Sequence, residues 1–169
     1  MNTLNTTRLI AAIALSTIAL QGMVAPASAA TASGTVAVSA TLTSICAVNA
    51  STMPFGNITA TTPTPLTNAG GNVNVTCSNT TAYTVALDKG ANGATIALRK
   101  MNFGANFLSY QLYTDAAHSI IFGDGTTGVT VAGTGNGVSQ AIPIFGQVPA
   151  QAGIVPGVYA DTVNVTLTY

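Results

Sequence analysis

The stretch "GVYADTVNVTLTY", Gly157 to Tyr169, sets Val163, Val165, Leu167 and Tyr169 against Asn164, Thr166 and Thr168. A period of two marks a strand with one face buried and one face wet. The pattern recurs upstream. "GGNVNVTC" (Gly70 to Cys77) alternates Val73, Val75 and Cys77 with Asn72, Asn74 and Thr76, and "AYTVALD" (Ala82 to Asp88) alternates Tyr83, Val85 and Leu87 with Thr84 and Ala86. "FLSYQLYTD" (Phe107 to Asp115) predicts one strand, with Leu108, Tyr110 and Leu112 on its apolar face, and "SIIF" (Ser119 to Phe122) a short one. "VSQAIPIFGQV" (Val138 to Val148) reads as a strand interrupted by Pro143. Proline gives no ladder N–H, so an edge or a bulge is expected there. "TATTPTPLTNAGG" (Thr59 to Gly71) and "GDGTTGVTVAGTGNG" (Gly123 to Gly137) read as loops, the second with a short hairpin at Val129 and Val131. Short strands bounded by Gly, Asn and Pro point to an all-β sandwich or barrel.

The N-terminal end has a different grammar. Arg8 precedes the apolar run "LIAAIALSTIAL" (Leu9 to Leu20), and small residues follow to Ala30. A basic start, a short apolar run and an A-x-A site at Ala27-Ser28-Ala29 make residues 1–29 an export signal. Cleavage is expected after Ala29, with Ala30 the second choice. The run is shorter than the roughly 20 apolar residues that span a bilayer. Residues 30–169 then form one ordinary domain with no membrane insertion of its own. Its first stretch, "GTVAVSATLTSIC" (Gly34 to Cys46), again alternates: Val36, Val38, Ala40 and Leu42 against Ala37, Ser39 and Thr41. The chain stops at Tyr169 within a strand pattern, so the sheet is expected to be one strand short at that end and one in surplus at the other.

Charge is scarce. After Arg8 the cations are Lys89, Arg99 and Lys100, against Asp88, Asp115, Asp124 and Asp161, a net −1. No basic patch serves nucleic acid, and no polybasic run serves a membrane. A neutral surface of Thr, Ser, Asn and Gly suits packing against copies of the same chain. The two cysteines, Cys46 and Cys77, read as one disulfide in an exported protein. Two thiols and one distant histidine cannot complete a zinc site, so no metal and no cofactor is expected.

Catalytic chemistry is not legible. His118 is the only histidine; Asp115 and Ser119 are near it in sequence, but a triad needs convergence in space. There is no glutamate. "GDGTTG" (Gly123 to Gly128) lacks the further acidic ligands of a calcium loop and reads as a turn. Tyr83, Tyr110, Phe122 and Phe145 are expected in the core, with Tyr113 a weaker candidate for a sugar platform. No enzyme is expected.

In combination, Cys46, Phe55-Gly56, Val73 to Cys77, Tyr83 to Leu87, Tyr110 to Asp115, Phe145-Gly146 and Gly157 to Tyr169 carry a family pattern. The chain resembles the spore coat protein U-like domain, a family that includes subunits of archaic, Csu-type chaperone–usher pili. The resemblance implies an incomplete immunoglobulin-like β-sandwich lacking its final strand. It implies a periplasmic chaperone that lends a strand, an outer-membrane usher, and identical or related pilin subunits as partners. An N-terminal segment of the following subunit then replaces the chaperone strand. On this reading residues 30–44 are the donor segment and 45–169 the pilin domain. Val36, Val38, Ala40 and Leu42 are the inserted side chains, and Val163, Val165, Leu167 and Tyr169 face the acceptor groove. The expected product is an exported, cell-surface fibre supporting adhesion and biofilm. A spore-coat or matrix protein of the same fold, or a secreted ligand-binding module, are the rival expectations.

Overall fold

The structure is a computed structural model describing residues 28–61, 63–64 and 66–169. The export signal expected at 1–29 lies outside these residues except for Ser28 and Ala29. The chain divides into two units at Ala40. Of the first, residues 28–40 carry no secondary structure and are exposed. The second, from Thr41, is an all-β body.

The body has nine strands among the described residues: β1 (Cys46–Ala50), β2 (Thr67–Cys77), β3 (Ala82–Leu87), β4 (Lys100–Phe103), β5 (Asn106–Ser109), β6 (Gln111–Tyr113), β7 (Val131–Thr134), β8 (Ser139–Val148) and β9 (Val165–Thr168). One sheet runs β1-β2-β8-β6 and a second β7-β3-β9, while β4 and β5 form a hairpin. Every strand pairing is antiparallel. The core lies between the sheets. Val73, Val75 and Cys77 of β2 and Ile142, Ile144 and Val148 of β8 meet Tyr83, Val85 and Leu87 of β3, with Phe122 fully buried among them. On β2 and β3 these are the alternating positions the period-two reading assigns inward. Cys46 and Cys77 are bonded and sit opposite each other in the β1–β2 register. The chain-entropy account assigns such a loop roughly 3–4 kcal/mol.

Five expectations need correction. Phe145, expected in the core, is half-buried outside it, because the alternation of β8 turns Ile142, Ile144 and Val148 inward and Phe145 to the other face, near His118. β2 begins at Thr67, inside the stretch read as a loop, because Ala69 to Gly71 pair with β8 although they lack strand-forming side chains. The strand expected over 107–115 breaks at Tyr110: Leu108, Tyr110 and Leu112 all point inward, but β5 turns back on β4 while β6 joins β8. Ser119 to Phe122 makes only isolated bridges, through Ile121 and Phe122. No hairpin forms at Val129 and Val131; Val129 bridges Phe122, and β7 pairs with β3 instead. Pro143 lies opposite Asn72 of β2, while β6 covers only Phe145 to Gln147, so β8 has an open side at the proline.

Candidate functional site

Among the described residues the two larger sheets have four edge strands, β1, β6, β7 and β9, and two of these flank a groove. Among the described residues, β1 pairs only with β2, and β9 only with β3. β1 and β9 are neighbours, each belonging to a different sheet. Asp88 N–H donates to Asn164 O at 3.1 Å and Ala91 N–H to Thr162 O at 3.0 Å. The main chain of the even residues thus turns towards β3. Antiparallel alternation turns the N–H and C=O of Val163 and Val165 the other way, along the open edge.

A groove lies on that side. Its first hollow, about 490 Å³, is lined by the segment after β1 (Ala50 to Phe55), by Tyr159 to Val163 and Val165 before and in β9, and at its base by Leu87, Tyr110, Leu112 and Ile144. A second hollow, about 630 Å³, continues between residues 53–60 and 154–159, over Met101 and Leu108. The two share Met53, Pro54, Phe55, Met101 and Tyr159, which form the partition. The base of the groove is therefore formed by buried core residues, Leu87, Tyr110, Leu112 and Ile144.

Each wall has a local reason. Met53 and Phe55 lie flat on the sheet because Gly71 and Gly146 leave room: a Cβ on Gly146 would collide with Met53 Sδ and come within 2.8 Å of Phe55 Cζ. Phe55 meets Tyr110 edge-on, with ring centroids 6.1 Å apart. The opposite wall is tied to the hairpin by paired Asn102–Ala160 main-chain bonds of 2.9 and 3.1 Å, and by Phe103 against Tyr159. Gly157 admits the Phe103 ring, which would clash with a side chain there. Tyr110 O–H donates to Asp161 Oδ2 at 2.6 Å, and Asn92 Nδ2 donates to Asp161 Oδ1 at 2.8 Å. Burial and the Asp161 carboxylate push the Tyr110 phenol far above its ordinary value, so it is a permanent donor. Just below, Asp88 accepts from Gly90 N–H, Asn164 N–H and Asn164 Nδ2.

Val163 and Val165 line the groove, Leu167 packs on the core next to it, and Tyr169 is exposed beyond β9. Val36, Val38 and Leu42 are 87%, 90% and 91% exposed, and Ala40 is exposed with them. His118 sits edge-on to Tyr113 at 5.2 Å and to Phe145 at 6.5 Å. The Asp115 carboxylate accepts from Ser119 N–H and Oγ–H and from Ile120 N–H, which makes it a turn cap. Asp124 caps its own turn through Thr126 and Thr127 N–H. Among the described residues no cluster of three or more metal-ligating side chains occurs, and no helix is long and apolar enough to cross a membrane. The groove wall over residues 50–60 was missed from sequence. Only the Phe-Gly pairs at Phe55-Gly56 and Phe145-Gly146 hinted at it.

The sequence model of the Spore Coat Protein U domain matches residues 32–166. "Protein U" of Myxococcus xanthus is 33% identical over 106 residues, covering 59% of this chain and 59% of that protein. The chain therefore spans about three fifths of the length of that relative. A chain in the crystal structure of the CsuC–CsuE chaperone–tip adhesion subunit pre-assembly complex, from archaic chaperone–usher Csu pili of Acinetobacter baumannii, superimposes with a TM-score of 0.54. The match covers 76% of this chain and 40% of that one at 21% identity, and shows a shared fold.

Proposed function

The chain belongs to the Spore Coat Protein U domain family, and from that premise we propose that it is a structural subunit of a secreted chaperone–usher fibre. One observation carries the reading: an apolar groove between two open sheet edges, in a chain that also holds an exposed, strand-patterned segment. An open edge beside an apolar cleft is an aggregation hazard in a lone molecule. An extended segment removes both liabilities, because its main chain completes the ladder and its alternate side chains fill the hollows.

Val36, Val38, Ala40 and Leu42 of a second copy supply that segment. Burying three large aliphatic side chains and an alanine contributes roughly 5–9 kcal/mol before ordering costs. Ala40, the smallest, belongs at the partition of Met53, Phe55 and Tyr159. A periplasmic chaperone strand holds the groove until the usher brings the next subunit. Each contact is head-to-tail and heterologous, so the product is an open filament at the cell surface, serving adhesion and biofilm. The likeness to Protein U of M. xanthus supports a second reading, in which the same joints build a coat rather than long pili.

Val38→Asp and Leu42→Asp in the full chain test the proposal. Each puts a carboxylate into an apolar hollow while altering only an exposed residue of its own chain. Electron microscopy should find no fibres from either, while the melting temperature of the isolated subunit stays within about 2 °C of the parent, as for surface changes. Normal fibres would contradict the assignment.

A further inference from the structure

We propose that consecutive subunits also touch body to body: the rim at Phe103, Val155 and Val158 of one copy seats Ile45 of the next. This rests on the proposed fibre, and follows from the length of chain between donor and body. Ser78 N–H donates to Ile45 O at 2.9 Å, and Ile45 N–H donates to Ser78 Oγ at 3.0 Å. Ile45 is thus already part of the rigid body. Only Thr43 and Ser44 lie between it and Leu42, the last inserted side chain. Three residue steps reach at most about 11 Å.

Direction then selects the rim. Every strand pairing in the body is antiparallel, and a donor extending β7-β3-β9 in the same way runs against β9. Leu42 therefore lies at the end of the groove where residues 154–159 form the wall, in the second hollow. The next body must emerge there. At that end Val158 is 84% exposed, with Val155 and Phe103 also exposed, although Phe103 is fixed by Tyr159. Ile45 is 70% exposed on the incoming body. Two exposed apolar patches are thus held within one short tether, where burying both removes apolar surface from water. Ile45, Phe103, Val155 and Val158 are themselves uncharged. The joint has two parts, an inserted strand that holds and a body contact that restrains bending.

The test places a photo-cross-linking phenylalanine analogue at position 45 of the full chain, assembles fibres, irradiates them and maps the cross-linked peptides. The proposal expects most of the product to join residue 45 of one copy to residues 100–107 or 153–160 of another. Fibres that assemble but give cross-links elsewhere, or none, overturn the body contact and leave the donor-strand reading standing. If the unsubstituted chain forms no fibres, both fall together.

Discussion

Arg99 is the residue whose role the sequence hid most completely. It is 0% exposed and has no carboxylate within bonding distance among the described residues. Its Nε donates to Asp88 O at 2.9 Å, Nη1 to Gln111 Oε1 at 2.6 Å, and Nη2 to Asp88 O at 2.6 Å and Phe122 O at 2.9 Å. Burial pushes the guanidinium below its ordinary value, and the nearby Tyr110, Asp88, Asp161 and Asp124 work against that. The fork ties the end of β3 to Phe122 and to Gln111 of β6, next in sequence to Tyr110 and Leu112 at the base of the groove. Lysine reaches only part of this set, so Arg99→Lys should lose roughly 2–4 kcal/mol of unfolding free energy, read from the denaturant midpoint. Asp88 gives a pH signature. Burial raises its pKa, but the bonds from Gly90 and Asn164 and the field of Arg99 outweigh this and hold it below its ordinary 3.8. The unfolded chain therefore takes up the proton first. The stabilisation is present above about pH 4 and is lost as pH falls through the depressed folded value. Asp115 and Asp124, lowered by their turn bonds, act in the same sense. Melting temperature should fall between pH 5 and 3, and Asp88→Asn should flatten that fall.

At the scale of the element, strands with strict alternation were legible and the groove was not. Val73, Val75, Val85 and Leu87 announce their burial because a two-residue period needs no partner to be seen. The Gly70-Gly71 part of β2 does not, since its pairing is set by β8 rather than by its own side chains. The walls at 50–60 and 154–162 are mostly irregular main chain, held by distant partners such as Tyr110 for Asp161 and Gly146 for Phe55. No local pattern encodes such contacts. Gly146 offers a direct handle. Gly146→Ala should lift Met53 and Phe55 into the groove and weaken donor-segment binding about tenfold, the order of a 1–2 kcal/mol overpacking cost. Titration of the body with the Gly34–Ser44 peptide reads it, and unchanged affinity would mean the two side chains do not shape the groove.

At the scale of the whole molecule, the body carries an apolar groove over its core, and the chain ahead of it carries an exposed segment of alternating apolar residues, which we propose as the donor. The most direct measurement is a thermal melt of the chain from Ser44 onward, with and without a peptide of Gly34 to Ser44. At a peptide concentration 100-fold above Kd, linkage adds about 2.7 kcal/mol, and for a body of this size the melting temperature should rise by about 5–10 °C. A peptide with Val38→Asp should give no rise. A body that is already stable and whose melt the native peptide leaves unmoved would contradict the account, because its groove would then not be the seat of a neighbour's strand.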